Sequence, residues 1–291
     1  MKLGFKSLHL VTALIFFIFT FIFCLTATNP FSLFVGFVCG AVYDFKLQKQ
    51  KTISFLFKFI LPLIVLVTLF NGIFSHYGVT VLFIMHNGNN FTLESLVYGF
   101  VSAVKISSML LWLDCFNEIL TSDKIIFLFG RFSPRLALVI SMVLRFIPLI
   151  RTQSAEIVKA EKGIGNSIEA VGFTGKIKGA SRRLSILVSW TLEKGIDTSD
   201  SMRARGYGLN GRTSYNSYVF SLRDATVTFV SVMAVIIAFL SKKSISASYN
   251  PIIDVPVPDM FSITAIIFFA SVLMMPVVLD LREERRWSIS K

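Results

Sequence analysis

Four long stretches of this chain contain no Asp, Glu, Lys or Arg: Ser7 to Tyr43, Phe59 to Leu93, Ala225 to Ser241 and Met260 to Leu279. In a soluble domain about one residue in four is charged; here the figure is 16% of 291 residues. Such a composition excludes an ordinary water-soluble domain and a disordered chain alike. Cysteine is scarce too. Cys24, Cys39 and Cys115 lie apart in apolar surroundings, which excludes a disulfide framework and a thiolate metal site and leaves three small buried side chains. The only histidines are His9, His76 and His86, too scattered to form a metal centre. HExxH and GxSxG are absent. So is a phosphate-binding loop, because Gly172-Phe173-Thr174-Gly175-Lys176 lacks both the spacing and the hydroxyl after the lysine. No metal, cofactor or catalytic residue is expected in this chain.

What is present is apolar: 54% of residues are hydrophobic, the mean hydropathy is +0.70 and 30 residues are Phe. About 20 apolar residues cross a hydrocarbon core roughly 30 Å thick, so each charge-free stretch is read as membrane sequence. Ser95 to Leu113, interrupted only by Lys105, is a further span if that lysine snorkels or faces a neighbouring helix. The N-terminal run of 37 apolar and neutral residues is too long for a cleaved signal, whose apolar core is about 7 to 15 residues. It is read as a retained helix, a turn at Asn29-Pro30 and a return helix ending near Asp44. The fold class is therefore all-α and polytopic, with about five or six transmembrane helices.

Basic residues collect in cytoplasmic loops. Lys2 and Lys6 precede the first segment, Lys46, Lys49 and Lys51 follow the second, and Arg282, Arg285, Arg286 and Lys291 follow the last. Asn71 to Leu93 and Ser244 to Asp259 contain neither Lys nor Arg. An even number of spans with both termini cytoplasmic fits this distribution, with Lys242 and Lys243 as a local exception. The expected organisation is a transmembrane region over 1–120, a basic cytoplasmic coupling-helix region over 121–223 and a second transmembrane region over 224–291. The middle region holds 16 of the 29 basic and 7 of the 17 acidic residues. In a membrane protein this charge points to anionic lipid or an acidic protein partner, not to nucleic acid.

Within that region residues 136–150 are apolar and are expected in or against the membrane. Past Pro148 the pattern turns amphipathic and predicts a helix ending near Gly163-Ile164-Gly165, where glycine adopts the left-handed C-terminal conformation. A second helix is predicted from about Lys178 to Gly195, with Leu184, Leu187 and Val188 on its apolar face. Any of Asp197-Thr198-Ser199-Asp200 suits the N-cap of a following helix through Arg203. The two helix ends are expected to emerge from the same basic surface. Asp114 and Glu118, spaced i, i+4, are read as the polar inner end of the fourth span.

In Ala204-Arg205-Gly206, with Arg203 beside it, a small residue permits close approach, glycine ends the helix and arginine offers a planar fork to a partner's carboxylate. Four runs extend this reading: Asn71-Gly72-Ile73-Phe74-Ser75-His76-Tyr77-Gly78-Val79-Thr80-Val81-Leu82-Phe83; Thr92-Leu93-Glu94-Ser95-Leu96-Val97-Tyr98-Gly99; Leu144-Arg145-Phe146-Ile147-Pro148; and Met202-Arg203-Ala204-Arg205-Gly206-Tyr207. In this order they resemble the transmembrane T component of energy-coupling factor importers, over roughly Thr26 to Asp224.

The resemblance implies a scaffold that joins two cytoplasmic ABC ATPase subunits to a membrane-embedded substrate-binding S component for uptake of a vitamin or a transition-metal ion. ATP and Mg would be bound by the ATPases, and the chain would be a multi-pass protein of the cell membrane. The family's coupling helices end in Ala-Arg-Gly motifs that dock on the ATPases. The second motif is intact at Ala204-Arg205-Gly206. The first falls at Gly163-Ile164-Gly165, where the arginine is missing and Lys162 or Lys159 supplies the charge. Two other readings are a self-sufficient secondary transporter and an intramembrane enzyme using Asp114, Glu118 and His76. The first expects two similar halves, and no internal repeat is seen; the second would need groups on opposite sides of the bilayer to cooperate.

Overall fold

The computed structural model describes residues 4–75, 78–84, 90–120, 124, 133–164, 173–209, 220–241, 247–249, 254 and 260–289. His76, His86, Gly165, Gly172, Lys242 and Lys243 lie outside them. The helices are α1 (Leu10–Thr26), α2 (Pro30–Gln48), α3 (Gln50–Phe74), α4 (Leu93–Ile119), α5 (Pro134–Gly163), α6 (Phe173–Ala204), α7 (Leu222–Leu240) and α8 (Met260–Ile289). Among the described residues, five segments are long and apolar enough to cross a membrane: Pro30–Gln48, Gln50–Phe74, Leu93–Ile119, Arg135–Gly163 and Ile263–Arg285. The protein is an all-α polytopic membrane protein.

The chain divides into a unit of Met1–Thr121 with Tyr218–Lys291 and a unit of Ser122–Ser217. In the first unit, α1 and α2 meet at the expected turn, where Asn29 caps α2 by accepting the Phe31 N–H at 3.1 Å and Pro30 occupies the first turn. The return helix runs past Asp44 to Gln48. Lys49 alone, at φ 48° and ψ −102°, separates it from α3. A π-helical turn at Leu56–Ile60 lies within α3.

The charge-free stretch Phe59 to Leu93 is not one helix. It leaves the helix after Phe74 and forms an antiparallel hairpin, β1 (Val81–Ile84) with β2 (Asn90–Thr92), before Thr92 caps α4 by accepting the Ser95 N–H. Its 35 residues exceed what a crossing requires, and the surplus pairs its backbone groups in a ladder. Glu94 holds this corner by accepting the Thr80 N–H at 3.1 Å.

Aromatic packing centres on α1. Phe5, Phe16, Phe17, Phe23, Tyr43, Trp112 and Phe269 are buried, with Phe5–Phe16 at 5.2 Å and Phe23–Phe269 at 4.9 Å between ring centroids. Between α2 and α4 the helices approach through Gly36 and Gly40. Trp112 Nε1 donates to the Gly36 carbonyl at 3.1 Å, and a Cβ on Gly40 would stand 3.0 Å from that nitrogen. Small residues four apart allow this contact in lipid, where close packing replaces the hydrophobic drive. Gly99 does the same for α4 against α3, since a Cβ there would stand 2.9 Å from the Thr68 carbonyl oxygen.

At the opposite end of α4 the segment that precedes α1 is fastened. Asp280 accepts the Phe5 N–H at 2.6 Å, Glu118 pairs with Lys6 at 2.6 Å, and Asp224 accepts the His9 N–H at 2.7 Å while closing a capping box with Ser221. Asp114 accepts from Gln48 Nε2 at 3.0 Å. Asp114 and Glu118 thus have separate partners, as the reading of a polar helix end requires. All three cysteines are free and buried, and no group of His, Cys, Asp and Glu suited to a metal ion occurs among the described residues.

Candidate functional site

The second unit consists, among its described helices, of α5 packed on α6. α5 starts with Pro134 in its first turn and continues unbroken past Pro148 to Gly163. Ile157 is buried, and Glu161 accepts from Arg183 Nε at 2.8 Å. That half-buried pair fixes the end of α5 beside the first third of α6.

α6 is longer than the sequence predicts. It begins at Phe173 and runs through 197–200 without a break, so none of Asp197, Thr198, Ser199 or Asp200 caps a new helix. Two of these side chains bond back within the helix instead. Thr198 Oγ1 donates to the Lys194 carbonyl at 2.7 Å and Asp197 pairs with Lys194 at 3.1 Å.

Where α6 stops, the local chemistry is specific. Gly206 has φ +79°, its N–H donates to the Arg203 carbonyl at 3.0 Å, and the Tyr207 N–H donates to the Met202 carbonyl at 3.0 Å. These two bonds form a Schellman motif with Gly206 as the left-handed residue. Arg203, Ala204 and Arg205 all remain exposed, and neither arginine has a carboxylate partner among the described residues. The cap terminates the backbone while two guanidinium groups stand at a helix C-terminus, whose partial negative charge favours cations there.

The end of α5 differs. Gly163 is the last helical residue, as expected, but it does not take the left-handed conformation, and a Cβ on it would meet nothing within 4 Å. The Ile164 N–H still donates to the Ala160 carbonyl at 3.2 Å, so the chain remains nearly helical. In α6 the following N–H reaches back and holds the glycine left-handed; Gly165, the other glycine of the sequence motif, lies outside the described residues. Lys159, Lys162 and Ile164 are exposed, and neither lysine is ion-paired among the described residues.

The two ends belong to the same basic region but lie apart along α6. From Arg183, which marks the end of α5, to Arg203 is about 30 Å along α6 at 1.5 Å per residue. Sequence reasoning also missed the length of the apolar stripe on α6. Ile177, Leu184, Val188, Leu192 and Ile196 are all exposed on one side, four or seven residues apart. The signal was legible, since these spacings continue the face begun at Leu184 and Val188.

No family model matches the chain. Among curated proteins it is similar to the energy-coupling factor transporter transmembrane protein EcfT of Brevibacillus brevis, 28% identical over 235 residues that cover 75% of this chain and 85% of that protein. It is also similar to EcfT of Lactobacillus helveticus, 32% identical over 107 residues, and to EcfT of Bacillus subtilis, 31% identical over 107 residues. These two matches cover 36% of this chain and 39% and 40% of the relatives. With its polytopic helices, the chain is a homologue of the transmembrane T component of energy-coupling factor transporters.

Proposed function

We propose that this chain is the mechanical link of an importer, with the exposed ends of α5 and α6 as the docking points for two cytoplasmic ABC ATPases. The observation that carries this reading is the capped end of α6, where Arg203 and Arg205 are exposed and have no carboxylate partner among the described residues. A guanidinium docked on a partner carboxylate forms two parallel charge-assisted bonds. Lys162, or Lys159, gives the end of α5 a point charge without that fork, so its contact is the weaker of the two. Separation of the ends by about 30 Å suits two partner subunits better than one.

In this reading ATP and Mg belong to the ATPases, whose closure moves the two helix ends. The helices pass the movement to the membrane unit, which grips an S component that binds a vitamin or a transition-metal ion. Both termini face the cytoplasm, in keeping with the basic residues at both ends of the chain. The stripe on α6 alternates with Lys178, Arg182, Arg183, Glu193 and Lys194 around the helix, a mixture suited to a protein cover and not to hydrocarbon.

The test is co-purification of the ATPases with the tagged chain from its native membrane, with uptake measured in the same cells. Arg205→Ala is expected to weaken ATPase retention by about 2–4 kcal/mol, the range of a well-packed arginine anchor, and to abolish most uptake. Arg182→Ala, exposed on the side of α6, should leave both near wild type. Equal effects of the two substitutions would sink the assignment of the docking point, and transport by the purified chain without ATPases would sink the whole reading.

A further inference from the structure

We propose that Lys105 pairs with a carboxylate presented by the membrane-embedded substrate-binding subunit near the middle of the bilayer. This rests on the importer reading above and names the contact within it.

Lys105 stands 12 residues after Leu93 and 14 before Ile119, which places it about 18 Å and 21 Å from the ends of α4. The hydrocarbon half-thickness is roughly 15 Å. A lysine stem is much shorter than that, so snorkelling does not bring the ammonium to the interface. A bare ammonium at that depth is costly and, where it persists, has a partner.

No described residue supplies one. Lys105 forms no ion pair and no hydrogen bond among the described residues, while Cys24 Sγ of α1 meets α4 close by, 3.5 Å from Ser108 Oγ. α4 packs on α1, α2 and α3. α1 and α3 contain no Asp or Glu, and α2 has only Asp44, near its end. On α4 itself the nearest carboxylate, Asp114, is nine residues away, about 13 Å along the helix. α7 and α8 are free of carboxylates from Ala225 to Ser241 and from Met260 to Leu279, and α5 has none before Glu156. The acidic residues of the membrane helices therefore lie toward helix ends, away from the depth of Lys105, and lipid phosphate is equally remote.

The surface beside Lys105 is open to a neighbour. Lys105 is half-buried, and Tyr98, Ile106 and Leu113 on the adjoining side of α4 are 47%, 44% and 42% exposed. A transmembrane helix laid on that apolar face brings a carboxylate into reach without exposing either charge to lipid. Charge complementarity selects a membrane protein with an acidic residue at mid-depth, and within the importer the substrate-binding subunit is the membrane partner.

The experiment uses the full complex in native membranes treated with dicyclohexylcarbodiimide. The reagent activates a carboxyl group, the Lys105 amine displaces dicyclohexylurea, and an amide joins the two residues with net transfer of water to the reagent. Peptide mass spectrometry is expected to find Lys105 joined to an Asp or Glu in a membrane helix of the binding subunit. In parallel, Lys105→Met is expected to lower the retained binding subunit on the order of tenfold or more, with ATPase retention unchanged, and Lys105→Arg to keep most of it.

Wild-type retention of the binding subunit by Lys105→Met overturns the proposal, and so does a cross-link confined to this chain. Unchanged ATPase retention shows that the variant is folded. Absence of ATPases from the wild-type complex overturns the importer reading itself, a different result from the failure of Lys105 alone.

Discussion

Two glycines at helix ends look alike in sequence and behave differently. Gly206 has φ +79°, and a Cβ there would also press on Leu209 at 3.1 Å, whereas Gly163 is helical with open space around it. Gly206→Ala is therefore expected to destabilise the end of α6 by about 1 kcal/mol. Hydrogen exchange at the Gly206 and Tyr207 amides should speed up several-fold, and ATPase retention should fall. Gly163→Ala should do the reverse locally, firming the last turn of α5 by up to about 1 kcal/mol. Matching losses from both substitutions would show that Gly163 is held by a contact outside its own helix. The glycine at the end of α6 was legible as a helix stop, but Arg-Gly at a helix end is common, and only the family resemblance singled out 204–206. The hydrogen bonds from Gly206 and Tyr207 to residues 203 and 202 were not legible, since any residue supplies those groups.

At the scale of elements, charge-free stretches marked the membrane helices and Asn29-Pro30 marked the turn, because both signals depend on solvent and on backbone capping alone. The continuity of α6 through 197–200 was hidden, since Asp, Thr and Ser cap helices and also sit within them when Thr198 and Asp197 bond back to Lys194. The hairpin at 81–92 was hidden for another reason: β-branched and aromatic residues near a membrane serve helix and strand equally well. The close pairing of α2 with α4 was written as Gly36-Phe37-Val38-Cys39-Gly40, a small-residue repeat that went unread. Gly40→Leu is expected to force α2 and α4 apart and to lower the thermal midpoint of the purified protein by several degrees, as a loss of about 2 kcal/mol or more does. Gly195→Leu, with nothing within 4 Å of its Cβ position, is the matched control and should not lower the midpoint, since leucine is the better helix former.

Across the whole molecule, the first unit closes by joining its chain beginning to residues more than 200 positions later. Asp224 takes the His9 N–H and both Ser221 groups, and Asp280 takes the Phe5 N–H. Asp224→Ala removes the capping box and leaves the His9 and Ser221 donors unmet, at an expected cost of about 2 kcal/mol or more. Limited proteolysis should then cut near the N-terminus at rates the wild type resists; an unchanged cleavage pattern would show that Asp280 and the Lys6–Glu118 pair suffice. None of these long-range pairings was readable from sequence, where the carboxylates simply followed or preceded apolar runs.

Lys49 is the sole residue between α2 and α3, with backbone angles that L-residues seldom adopt. There is no slack in such a joint, so reorientation between these neighbours has to pass through one pair of dihedrals. A turn of about 10° there carries the tip of a rod roughly 37 Å long through about 6 Å. Since α3 grips α4 at Gly99 and α4 grips α2 at Gly36 and Gly40, the three rods form a closed triangle, and any such swing must unseat a glycine contact first.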